Sequence, residues 1–178
     1  ITGIGQGFIQ TTPVQLCLMT AQIANGGYKI YPKIVANDDN QYADKFTPLY
    51  KKSRNIKIVQ DAMFSSTNEV RGTSYRSRLD DPKYRFAGKT GTSQVKKITE
   101  RDRELDLKTF QIPYEERDHA LYVAFGPYKS PRYALSIIIE HGGSGGTVAA
   151  PLAKELFKMI IDRHEIRKNY DNKKYLDI

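Results

Sequence analysis

Ala87-Gly88-Lys89-Thr90-Gly91-Thr92 is the stretch on which the reading of this chain turns. It lies within Phe86 to Val95, a segment that reads as a strand with glycines at 88 and 91. Glycine inside a strand pattern marks a place where another backbone approaches closely. In a regular strand side chains alternate, so Lys89 and Gly91 share one face, and Thr90 and Thr92 share the other. The lysine supplies a fixed positive charge beside glycines that let a second chain lie against the backbone.

Two further strands follow. His119 to Phe125 and Tyr133 to Glu140 are separated by Gly126-Pro127-Tyr128-Lys129-Ser130-Pro131-Arg132, which is turn chemistry, so they form an antiparallel hairpin. Residues 96–118 are highly charged with few apolar anchors and read as a mobile surface loop. After the hairpin, glycines at 142, 143, 145 and 146 precede Val148, Leu152, Leu156, Met159 and Ile160, a helical stripe. That last helix is expected to reach about Arg163 and pack on the sheet, leaving residues 165–178 as a polar tail that frays.

Upstream of the deciding stretch, Thr12-Pro13-Val14-Gln15 is a helix start, with a capping threonine, proline at the first helical position and glutamine closing a capping box. Leu16, Met19 and Ile23 then share a face, and Asn25-Gly26-Gly27 supplies a left-handed stop. Tyr28 to Val35 reads as an extended edge segment interrupted by Pro32. Ile56 to Phe64 reads as a second helix with Ile56, Val59, Met63 and Phe64 inward. The pattern is α+β: an antiparallel sheet flanked by helices.

The 178 residues suit one domain, and their composition is that of a globular protein. The net charge of +8 favours anionic partners such as nucleic acid, anionic lipid or cell-wall polymer, without choosing among them. Cys17 is the single cysteine, which excludes an internal disulfide, and its apolar setting reads as a small buried hydrophobe. The longest apolar run, Ala134 to Ile139, is too short to span a bilayer. A chain beginning at Ile1 rather than methionine reads as part of a longer protein.

Other patterns carry less. His119, His141 and His164 lack the company that metal ligation needs, and no cofactor is implied. The glycines from 142 to 146 are not followed by the lysine of a phosphate-binding loop and read as a tight strand-to-helix turn. Ser93-Gln94-Val95-Lys96 matches Ser-x-x-Lys, but in an extended chain positions three apart face opposite ways. Ser66-Thr67-Asn68 matches a Ser-x-Asn pattern at the end of a helix.

Lys-Thr-Gly is one of three signatures shared by penicillin-binding proteins and class A β-lactamases. The chain resembles that family, most closely the class B, penicillin-binding protein 2 type. The resemblance rests on Gly3-Ile4-Gly5-Gln6-Gly7 with Thr12-Pro13-Val14-Gln15-Leu16, on Ala24-Asn25-Gly26-Gly27, and on Ala87 to Thr92. Asp118-His119-Ala120, Val123-Ala124-Phe125-Gly126-Pro127 and Ile139 to Gly146 complete it. These blocks keep the family's order over most of residues 1 to 165.

The resemblance implies the serine β-lactamase/transpeptidase-like fold, of which this chain would be the C-terminal portion, the family's nucleophile-bearing portion lying upstream of Ile1. It implies a peptidoglycan D,D-transpeptidase that cross-links stem peptides through an acyl-serine in cell-wall elongation, inactive here without that serine. Lys89 would be catalytic, completing a positive, hydrogen-bonded cluster beside the serine. Thr90, Gly91 and Thr92 would bind substrate: Thr90 holding the motif, Gly91 admitting the chain, Thr92 taking the terminal carboxylate. The Thr92 N–H would be one oxyanion donor. Partners implied are stem peptides, β-lactams and a glycosyltransferase of the shape, elongation, division and sporulation class (SEDS), at the periplasmic side of the inner membrane. A septal class B or a class A penicillin-binding protein stays open beside it. The competing class is a basic nucleic-acid-binding module, for which 12 Tyr and 7 Phe are available but no basic recognition helix or RNA-binding pattern is seen.

Overall fold

The computed structural model describes residues 9–34, 47–51, 53–96 and 107–174, with side chains through 168. Helix α1 is Pro13–Ala24, α2 is Ser53–Asn68 and α3 is Ala150–Lys174; strands β1, β2 and β3 are Ala87–Ser93, His119–Gly126 and Tyr133–Ile139. The sheet order is β1-β2-β3, antiparallel throughout, with Lys89 opposite Val123 and Thr90 opposite Tyr122. The α+β class and the hairpin are as the patterning predicts.

Pleating divides the sheet into two cores. On one face Phe86, Ala120, Tyr122 and Ala124 pack with Ala149, Ala150, Ala153, Phe157 and Ile161 of the last helix. On the other, Ala87 and Phe125 pack with Met63 of α2 and with Ile23 and Ala24 of α1. The sheet is therefore a middle layer, covered by α3 on one side and by α1 and α2 on the other.

The α1 start is as predicted. Thr12 Oγ1 accepts from Gln15 N at 3.2 Å, and the Gln15 side chain accepts from Thr12 N at 2.8 Å. Gly26 and Gly27 then take φ of 93° and 90° and end the helix, a backbone conformation that suits glycine. The inward face of α1 is the predicted one only in part: Ile23 packs on the sheet and Leu16 is half-buried, but Met19 is 42% exposed and Thr20 is fully buried in its place. Thr20 tolerates this because its hydroxyl donates to Leu16 O at 2.7 Å. Helix α2 runs further than predicted at both ends, with Ile56, Met63 and Thr67 buried and Val59 outward. Tyr28 to Ile34 is no strand; only Tyr28 forms a bridge, to Pro48.

Helix α3 departs most from expectation. Of the predicted stripe, Val148 packs against the core and Ile160 is half-buried, but Leu152, Leu156 and Met159 face out, 46%, 40% and 67% exposed. The face on the sheet is Ala149, Ala150, Ala153, Phe157 and Ile161. Alanines let the helix axis come close, and Phe157 then stacks on Phe86 with ring centroids 4.9 Å apart. Hydrophobic size alone picks the wrong face where small residues set the separation. The helix also continues to Lys174 rather than ending near Arg163, so the described part of the predicted tail is helical, and 175–178 lie outside the described residues. Nothing between Arg163 and Lys174 is a breaker, and Lys, Arg and Glu sustain a solvated helix. Tyr84 and Lys83 both bond Asp162, and the Tyr84 hydroxyl holds that carboxyl below the usual carboxylate range.

The predicted loop 96–118 lies partly outside the described residues. Its described end carries two short 3₁₀ turns, Thr109–Gln111 and Tyr114–Glu116, and is tied to the sheet by polar bonds. Asp118 Oδ1 accepts from Val95 N at 3.2 Å and Asp118 O accepts from Gly143 N at 2.8 Å.

Candidate active site

β1 stands at the sheet edge, and the predicted site residues run along it. The facing is that of a regular strand. Gly91 lies against Leu121, since a Cβ there would meet Leu121 Cβ at 3.3 Å. The Thr90 methyl lies toward Gly146 on the α3 side. Lys89 and Thr92 are exposed, Thr90 and Gly91 half-buried.

Alternation separates the Lys89 and Thr90 stems, yet their polar ends meet. Lys89 Nζ donates to Thr90 O at 2.9 Å and to Thr90 Oγ1 at 3.1 Å, its four-carbon stem reaching round the open edge. An ammonium is thereby fixed on the rim of an edge strand, where an added extended chain would pair.

The backbone behind the motif is closely held. A Cβ at Gly145 would sit 2.3 Å from Leu121 O and 2.8 Å from Gly91 O, so the turn before α3 rests directly on β1 and β2. The predicted strand-to-helix turn is thus also a brace behind Gly91, closed by a π-helical turn over Gly145–Ala149. At Gly88 the missing side chain leaves room for Tyr122, whose hydroxyl would lie 2.3 Å from a Cβ there. Tyr122 OH shares hydrogen bonds with Thr67 Oγ1 at 2.9 Å and Ser74 Oγ at 3.0 Å, all buried, and burial pushes its phenol upward in pKa.

A row of hydroxyls was not anticipated from the sequence. Thr90 Oγ1 is 3.3 Å from Thr73 Oγ1, which is 3.2 Å from Ser66 Oγ. Thr73 comes from Gly72-Thr73-Ser74, near the start of the segment that joins α2 to β1. Its small, turn-forming residues are the available signal, and they equally fit an unremarkable loop.

The other patterns are placed as follows. In Ser66-Thr67-Asn68, Thr67 serves the Tyr122 cluster and Asn68 Nδ2 donates to Phe64 O and Phe86 O at 3.0 and 2.9 Å. In Ser93-Gln94-Val95-Lys96, Lys96 Nζ bonds Glu116 Oε2 at 2.5 Å. His119 Nδ1 accepts from His141 N at 3.0 Å, and His141 Nδ1 lies 3.1 Å from Arg117 O, so this pair ties the hairpin end to the neighbouring loop. Among the described residues no group of three or more His, Cys, Asp or Glu gathers as a metal site. Among them, too, no helix is long and apolar enough to cross a membrane.

The fold and the site together define an α+β body that carries Lys-Thr-Gly-Thr on the edge strand of its sheet. The chain belongs to the Penicillin binding protein transpeptidase domain family, which matches residues 1–158. It is 33% identical over 174 residues to the peptidoglycan D,D-transpeptidase MrdA of Salmonella typhimurium, covering 90% of this chain and 26% of that protein. Among solved structures it resembles penicillin-binding protein 2 of Helicobacter pylori, seen in complex with MreC, at TM-score 0.71 and 28% identity over 90% of this chain and 26% of that one. Pseudomonas aeruginosa penicillin-binding protein 2, solved with WCK 5153, gives TM-score 0.66 and 34% identity over 86% of this chain and 30% of that one. The chain thus spans about a quarter to a third of the length of these relatives.

Proposed function

We propose that this chain is the Lys-Thr-Gly-bearing part of a peptidoglycan D,D-transpeptidase acting in cell-wall elongation. The observation that carries it is Lys89 on the rim of an edge strand whose Gly91 backbone is braced from behind. An acyl donor would lie along β1 by main-chain pairing. A serine carried elsewhere in the longer protein would attack the donor carbonyl, expel terminal D-alanine and form an ester. The acceptor amine of a second stem peptide would then take the acyl group and release the serine.

In this scheme Lys89 places positive charge beside the serine and lowers the energy of charge developing there. Thr92 contributes its N–H to the oxyanion site and its hydroxyl to the substrate carboxylate; Thr90 holds the lysine, and Gly91 lets the substrate approach. β-Lactams acylate the same serine. As the family resemblance implies, the longer protein would sit at the inner membrane facing the periplasm with a SEDS-class glycosyltransferase as partner, and MreC, seen in complex with the Helicobacter pylori relative, is a further candidate. The test is binding of labelled penicillin to the longer protein: a covalent, hydroxylamine-sensitive adduct supports the reading, and no adduct with an acylating β-lactam rejects it.

A further inference from the structure

We propose that Thr73 is a positioning residue for the Lys89–Thr90 pair, setting the rotamer in which Thr90 both holds Lys89 and adds its hydroxyl to that of Thr92 at the carboxylate end of the substrate. This rests on the transpeptidase reading.

The place of Thr73 is over-determined. On one side a Cβ at Gly72 would lie 2.2 Å from Ser66 O, so the link is pressed against the end of α2. On the other, Ser74 N and Ser74 Oγ each donate to Ser66 O at 3.1 Å, and Ser74 is locked into the buried Thr67–Tyr122 cluster. A Cβ at Gly146 would lie 2.7 Å from Thr73 O and 3.6 Å from Thr90 Cγ2. The Thr90 methyl therefore points at Gly146 while its oxygen points at Thr73 and Lys89. Threonine is stiff at χ1, so this choice of side is a choice of rotamer.

The bonds have a direction. An ammonium can only donate, so Thr90 Oγ1 accepts from Lys89 and keeps one proton to give. Across the 3.3 Å between Thr90 Oγ1 and Thr73 Oγ1 either hydroxyl can donate. With a carboxylate bound, the Thr90 proton goes to it and the Thr73 hydroxyl donates to Thr90. No heavy atom moves, and the donation to the carboxylate is strengthened by Lys89 and Thr73 together. The Thr73–Thr90 contact is long for an O–H···O bond, so its value lies in orientation. Thr73 is exposed, so replacing it leaves the core untouched.

The experiment measures acylation of the longer protein by benzylpenicillin, separating the pre-covalent dissociation constant from the acylation rate constant. Thr73→Val, which removes the hydroxyl at constant shape, is expected to weaken the pre-covalent constant about tenfold with the rate constant within about twofold, a loss on the scale of one oriented hydrogen bond. Thr73→Ser should restore it, and Thr73→Val added to Thr90→Val should cost nothing more, because Thr73 acts through Thr90. Unchanged binding in Thr73→Val, failure of the serine to rescue, or additivity with Thr90→Val overturns the proposal while wild-type acylation keeps the transpeptidase reading. A wild-type protein that is not acylated overturns both.

Discussion

Lys89 and Thr90 leave β1 on opposite faces, yet Lys89 Nζ lies 3.1 Å from Thr90 Oγ1. An interior strand would forbid this, because the next strand would block the path between the faces. At an edge the lysine stem can wrap the rim, so the motif gathers charge and hydroxyl where a substrate strand would add.

Lys89→Ala in the longer protein is expected to slow acylation by orders of magnitude and leave the melting temperature nearly unchanged. The side chain is exposed and, among the described residues, its hydrogen bonds are to Thr90, so under the proposed mechanism its loss removes stabilisation of developing charge rather than core packing. Stopped-flow acylation with a parallel thermal melt checks it; wild-type acylation with Ala at 89 would remove the motif from the mechanism.

Ser93 is expected not to act as a nucleophile, although it begins a literal Ser-x-x-Lys. Its matching lysine, Lys96, is bonded to Glu116. Intact-mass measurement of the 178-residue chain after incubation with a reactive β-lactam should show no adduct, and an acylated Ser93 would contradict the assignment of the serine to another part of the protein.

Tyr122→Phe is expected to cost about 1 kcal/mol at neutral pH, since Thr67 and Ser74 keep acceptors in Met63 O and Ser66 O. It should also change the alkaline limb. Burial raises the phenol's pKa in the folded state, so above about pH 10 the unfolded chain has released a proton that the native chain still holds. That contribution is whole below the unfolded value and is lost as pH rises through the folded one. Denaturant melts at pH 8 and 10.5 should show a smaller loss in the variant than in wild type; equal losses would mean that Tyr122 is not the titrating group.

Phe157→Ala is expected to destabilise the chain by about 3–5 kcal/mol, as for a fully buried aromatic, and Leu156→Ala by less than about 1 kcal/mol. Urea unfolding of the two variants of the 178-residue chain decides it, and a larger loss at Leu156 would reverse the facing of α3.

The sequence by itself determined the local elements and their punctuation. Thr12 and Gln15 cap α1 through bonds spanning three residues, Gly26 and Gly27 stop it through their own backbone freedom, and the turn at 126–132 pairs the hairpin. Each rests on interactions within a few residues, so it is legible in order along the chain. The Lys89-Thr90-Gly91-Thr92 stretch is likewise legible as a pattern, and its two faces follow from alternation once the strand is regular. Only the tertiary structure decided which faces are buried. Leu152, Leu156 and Met159 outrank Ala150 and Ala153 in hydrophobicity, but the sheet accepts the face whose small residues let the axis come close enough for Phe157 to reach Phe86. Only tertiary structure, too, brings Ser66 and Thr73 to Thr90 and sets Gly145 behind Gly91. Those contacts join segments distant along the chain, and a hydroxyl in a loop has no periodicity to announce the partner that folding will bring to it.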